Sequence, residues 1–125
     1  MSAQLDRALW GLEKSNHLIR TLSRGGAKLT VRYELHVELA NRHARASGVA
    51  YFQDLGHAAQ LHITAAHRHM GMAAWCMASI RQQLDPGSLA QEQALLEEAC
   101  NTGLKAVDAT KKGDTKKRLG DAEGR

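Results

Sequence analysis

Five side chains in this sequence have the types and spacing of a ligand set for a transition metal. His36 and His43 stand seven residues apart, and His62, His69 and Cys76 follow one another at the same interval. Seven residues is close to two turns of an α-helix, so each set would share one helix face. Gly56 lies between the sets and can serve as the hinge of an antiparallel hairpin. Residues equally distant from it then lie side by side, His36 with Cys76 and His43 with His69. The positions between them are small: Ala40, Ala46, Ala66 and Ala73. Imidazole and thiolate groups converging between helices suit Zn²⁺ or copper. Against this, the sequence has no His-x3-His pair and no Glu-x-x-His motif of the carboxylate-bridged metal bundles. The sequence favours the plainer reading, in which the histidines border the core half exposed and hydrogen-bond to water or backbone.

A second constellation is cationic. Arg42 and Arg45 flank His43, and His67 and Arg68 precede His69, so the hairpin would bring them together. The stretch His57–Arg81 contains no acid to neutralise them. Lys111, Lys112, Lys116, Lys117 and Arg118 add positive charge near the C-terminal end. Such a patch holds phosphates by counterion release and reads little sequence. A net charge of +4, with acid concentrated in 85–100, also favours anionic partners. The first expectation is therefore a non-enzymatic module that associates with nucleic acid or a nucleoprotein complex. A metal-binding His/Cys-lined bundle is one alternative. A factor that binds an acidic protein surface is another. Trp10, Tyr33, Tyr51, Phe52 and Trp75 read as core-facing, which leaves few aromatics for base stacking. The glycine-rich phosphate loops, nucleophile elbows and zinc-protease helices of common enzymes are missing. Cys76 reads as a small buried hydrophobe before it reads as a thiol nucleophile. No cofactor is required other than that metal alternative.

The elements that must position these groups read as all-α. At 125 residues the chain is long enough for one core, its apolar content is mostly Ala, Leu and Met, and it has one proline. Leu5, Leu9, Leu12, Asn16 and Ile19 mark one face of a first helix over Ser2–Ser23, closed by Gly25 and Gly26. Asn16 interrupts that stripe and reads as partly exposed. Residues 28–39 alternate polar and apolar, the period of a strand. No second strand pattern is present to pair with them, so the prediction is a helix over about 29–54. The alternative is an intermolecular β-ribbon from residues 28–39.

A third helix runs over His57–Leu84, with Ile63, Ala66, Met70, Ala73, Met77 and Ile80 as its core stripe and the histidines beside it. Asp85, Pro86 and Gly87 make a turn, and Ser88 with Gln91 caps a fourth helix through Leu89, Leu96, Cys100 and Val107. Gly103 weakens that helix. The expected architecture is an antiparallel four-helix bundle over 1–109, followed by a disordered basic tail over 110–125. The apolar second helix is expected to mediate homo-oligomerisation. No run reaches the roughly 18 apolar residues of a membrane span, and two distant cysteines fit a reducing cytoplasm.

Overall fold

The computed structural model describes residues 2–24, 28–82 and 89–123, with side chains over 6–22, 28–81 and 93–113. They form four α-helices: α1 (Ser2–Arg24), α2 (Leu29–Phe52), α3 (Gly56–Gln82) and α4 (Leu89–Glu123). Each helix packs on its neighbours in sequence, and α1 closes against α4, which gives an up-down-up-down four-helix bundle. The antiparallel sense is visible in single contacts. Arg42 on α2 donates to the Gly11 carbonyl and to Ser15 on α1, and Lys111 on α4 meets Glu13 on α1 at 2.5 Å. Among the described residues no helix is long and apolar enough to cross a membrane.

Residues 29–52 are helical, so the β-ribbon alternative is overturned. The reason lies in which positions are buried. Arg32, His36, Leu39, Ala40, His43, Ala46 and Ala50 step by threes and fours and form the inner face. Of the alternating apolar residues that suggested a strand, only Leu39 is fully buried, and Val31 is exposed. The helix period wins because it lets α2 bury one continuous face against two neighbours, whereas a lone strand leaves its backbone unpaired.

The α2–α3 turn is tighter and earlier than a hinge at Gly56. Asp54 takes the left-handed conformation at φ 59°. The Asp54 N–H donates to the Tyr51 carbonyl and the Leu55 N–H to the Ala50 carbonyl at 2.9 Å. This is the Schellman pattern of helix ends, with Asp where glycine is usual. Gly56 already belongs to α3, and a Cβ there would meet nothing.

On α3 the inner face is not the stripe through Ile63, Met70 and Met77. His62, Ala65, Ala66, His69, Met72, Ala73, Cys76 and Ser79 are buried, and Met70 is 50% exposed. Met70, Ala74 and Ala78 lie exposed outside this face, so hydrophobicity alone does not orient the helix. Its small residues and uncharged imidazoles allow the closer approach to α2. On α1 the expected stripe is buried at Leu9, Leu12 and Ile19, and Asn16 is buried with it rather than exposed. Together with Leu39, Met72, Leu96 and Val107 these aliphatic side chains form the main core, each contributing roughly 1.5–3 kcal/mol by burial. The aromatics expected in the core lie outside it: Trp10 is 60%, Tyr51 70% and Phe52 86% exposed, and Tyr33 and Trp75 are half-buried.

The boundary expected at residue 109 falls inside α4. Thr110 is fully buried, Lys111 pairs with Glu13, and the backbone continues helical to Glu123. The turn at Asp85–Gly87, the Ser88 cap and the Gly25–Gly26 helix end lie outside the described residues.

Candidate metal centre

The seam between α2 and α3 holds four histidines, all fully buried. They meet in two pairs across the hairpin: His36 Nδ1 lies 3.0 Å from His69 Nδ1, and His43 Nδ1 lies 3.0 Å from His62 Nδ1. The His43 and His69 rings stack between the pairs, 5.9 Å apart and 6° from parallel. The heptad spacing therefore does create an imidazole-lined seam, but in a different register. With the turn at Asp54 the pairs centre between Phe52 and Gln53, half a heptad before Gly56. His36 consequently faces His69 in place of Cys76, and His43 faces His62 in place of His69. Cys76 is buried further along α3 and is not in the paired set. The histidines are not half exposed at a core margin; they are the core of this seam.

Burial keeps these rings neutral, because the charged form loses its water. It pushes His36 down to about 4, helped by the Arg32 charge, and His62 down to about 4. It pushes His43 down to about 3, aided by His62 and His69, and His69 down to about 3, aided by His36.

The proton positions of one pair follow from its neighbours. The Thr110 hydroxyl donates to the Ala106 carbonyl at 2.8 Å, so toward His62 it can only accept. His62 Nε2, 2.9 Å away, is therefore the protonated nitrogen that donates to it. His62 Nδ1 is then a bare lone pair, and His43 must donate to it through Nδ1–H. That leaves His43 Nε2 bare as well. It meets no hydrogen-bond partner among the described residues, and the same holds for His36 Nε2, His69 Nε2 and both amide atoms of Asn16. Unmet buried polar atoms cost on the order of 1–3 kcal/mol each.

The other two helices are shaped around this seam. A Cβ at Gly103 would stand 2.7 Å from His43 Nε2 and 3.1 Å from Asn16 Nδ2, so α4 admits His43 only because residue 103 lacks a side chain. Sequence reasoning missed three contributors: Thr110, assigned to a tail; Asn16, read as exposed; and Gly103, read as a weakness. A signal was present. Leu96, Gly103 and Thr110 are seven apart, as are Leu9 and Asn16, in the rhythm of the histidines.

As a ligand set the arrangement supplies two nitrogens per pair. Among the described residues no three His, Cys, Asp or Glu side chains converge on one point. No acid is buried in the described bundle, and Cys100, whose thiol burial pushes up to about 11, stays protonated.

The cations singled out for phosphate binding are spread over the surface and largely engaged. Arg42 pairs with Glu38 at 2.7 Å, Arg68 with Glu98 at 3.1 Å, Lys111 with Glu13 and Lys112 with Asp108 at 3.0 Å. Arg45 and His67 are exposed. The side chains of Lys116, Lys117 and Arg118 lie outside the described residues. No protein family matches this chain, and no curated protein or solved structure is similar enough to it to count as a match.

Proposed function

We propose that this bundle binds a late first-row transition metal in the seam between α2 and α3, with the paired histidines as ligands. The observation that carries this reading is the meeting of four fully buried, neutral imidazoles in two pairs whose Nδ1 atoms are 3.0 Å apart. Two nitrogens bound to one metal at roughly 2.0–2.1 Å each lie about 3 Å apart when adjacent in its shell. Thr110 supports the reading too. It holds the outer nitrogen of His62, as hydrogen-bond acceptors hold metal-bound histidines elsewhere. Asn16, buried with both amide atoms unmet, stands on the same side of the seam as His43, across from Gly103.

Association with nucleic acid has less behind it. Among the described residues that it invokes, Arg42, Arg68, Lys111 and Lys112 already face a carboxylate, and exposed ion pairs give a surface little net attraction for phosphate. The test of the metal reading is the metal content of untagged protein purified without chelator, followed by titration with Cu, Zn, Ni and Fe salts. Stoichiometric metal, or uptake of one of these ions that Gln at both His43 and His62 abolishes, is the expected result. Protein that is metal-free and takes up none of the four would refute it.

A further inference from the structure

We infer that the cleft between α1 and α2 is a binding site for a small amphipathic carboxylate, an apolar tail ending in one carboxylate group. The cleft has a volume of about 390 Å³, within the range of about 300–1,000 Å³ usual for small-molecule sites. Its floor is carbon: Leu9, Leu12 and Ala46 are buried there, and the exposed Ala8 and Val49 extend the apolar wall toward solvent. Three guanidinium groups line the same cleft, those of Arg7, Arg42 and Arg45, against a single carboxylate, Glu38. An apolar floor beside an excess of positive charge is the complement of a tail with an anionic head.

The three arginines differ in how they are engaged. Arg42 is held in place: Nη1 donates to the Gly11 carbonyl at 3.3 Å and to the Ser15 hydroxyl at 2.8 Å, and Nη2 donates to Glu38 at 2.7 Å. Of its five N–H groups two are left, on Nε and Nη2, and they match in number the two oxygens of a carboxylate. Gly11 leaves room for this anchoring, because a Cβ there would stand 3.3 Å from Arg42 Nη1. Arg7 and Arg45 are exposed and pair with no carboxylate among the described residues. Arg45 donates to the Asn41 carbonyl alone, at 3.5 Å, so both charges are open to a ligand. A head group that meets Arg42 at the edge of an apolar cleft has lost part of its water, which strengthens the guanidinium–carboxylate attraction over that at an open surface. None of these groups belongs to the histidine pairs, so the site stands or falls apart from the metal reading.

The test is calorimetric titration of the full chain with hexanoate, octanoate and decanoate, with acetate, octanol and octylammonium as controls, beside methyl NMR of the labelled chain with octanoate. One octanoate per chain is expected, with affinity rising by up to about fourfold for each added methylene and falling with added salt. Methyl shifts are expected at Ala8, Leu12, Ala46 and Val49. Arg7→Gln and Arg45→Gln, both at exposed positions, should each weaken octanoate by at least about threefold. Glu38→Gln keeps an acceptor for Arg42 while removing the competing charge, and should tighten octanoate. Acetate bound as tightly as octanoate would reduce the cleft to general anion attraction and overturn the proposal. Octanol or octylammonium bound as tightly would overturn the role of the arginines and with it the choice of a carboxylate. Shifts confined to residues outside the cleft, or neither heat nor shift at millimolar octanoate, would overturn the site itself. Methyl NMR is read on the unaltered chain, so the location is decided even where a variant fails to fold.

Discussion

On α1 and α4 the inward positions are Leu9, Leu12, Asn16 and Ile19 against Leu96, Ala99, Cys100, Gly103, Ala106, Val107 and Thr110. On α2 and α3 they include His36, Leu39, Ala40, His43 and Ala46 against His62, Ala65, Ala66, His69, Met72, Ala73 and Cys76. Both seams follow the same three-four rhythm, yet they do opposite work. The first gains its energy by removing aliphatic surface from water. The second fills its interior with rings that each lose hydration and recover only part of it through the paired nitrogens. A bundle can carry such a seam because the aliphatic one beside it is well packed. The exceptions on the aliphatic side, Asn16, Gly103 and Thr110, stand next to the histidines and are shaped by them.

Acid should break this contrast most strongly, because the buried groups that it protonates among the described residues lie in the histidine seam. The four histidines are held at about 3 to 4 in the folded bundle, against 6.5 in the unfolded chain. Between those values the unfolded chain binds protons that the bundle does not. Stability is therefore full above about pH 6.5 and falls as pH drops, by up to about 1.4 kcal/mol per histidine per pH unit. Summed over the four, this reaches the whole stability of a small domain near pH 5. Circular dichroism from pH 8 to 3.5 should show cooperative loss of helix between pH 6 and 4. Helix that persists unchanged to pH 4 would contradict the buried neutral seam. Bound metal should move the midpoint to lower pH.

The dependence of α4 on the histidines gives the next largest effect. Gly103→Ala should improve helix propensity by about 1 kcal/mol. It also drives a methyl against His43 Nε2, and overpacking of this kind costs about 1–3 kcal/mol. A net loss is expected in the normal chain, and a gain of about 1 kcal/mol once His43→Ala has opened the space. Chemical denaturation of the four proteins of this cycle measures it. The same sign in both backgrounds would show that Gly103 does not serve His43.

The smallest effect lies at the turn that sets the register. Asp54 holds φ 59°, which glycine adopts without penalty. Asp54→Gly removes a backbone penalty of up to about 1 kcal/mol together with the interactions of the aspartate itself, so a net change within about 1 kcal/mol is expected, with the histidine pairs left in place. Chemical denaturation measures it, and a loss well beyond about 1 kcal/mol would mean that the turn is held by the aspartate's own interactions and not by its backbone conformation.

The residues themselves made much of this legible. Helix content, the faces of α1 and α4, and the existence of a histidine seam all follow from spacing in the chain, since a repeat of seven must fall on one side of a helix. What spacing could not supply was the partner of each histidine. A hinge displaced by half a heptad slides the opposing helix by a full heptad, and every histidine meets a new neighbour while the stripe looks unchanged. Glycine seemed the natural hinge at Gly56, but an aspartate in a left-handed conformation made the turn. The burial of Asn16 and Arg32 was equally hidden, because polarity argues for the surface until a neighbouring element encloses the group.

By itself, then, the sequence determined that the chain would be helical and that its imidazoles would line up, because both depend on intervals along one backbone. Only the tertiary structure decided that His36 meets His69 and His43 meets His62, that among the described residues no carboxylate joins them, and that Thr110, Asn16 and Gly103 surround them. Those facts depend on where one helix stops and how the next is set against it, and on charge and space contributed by residues far apart in the chain.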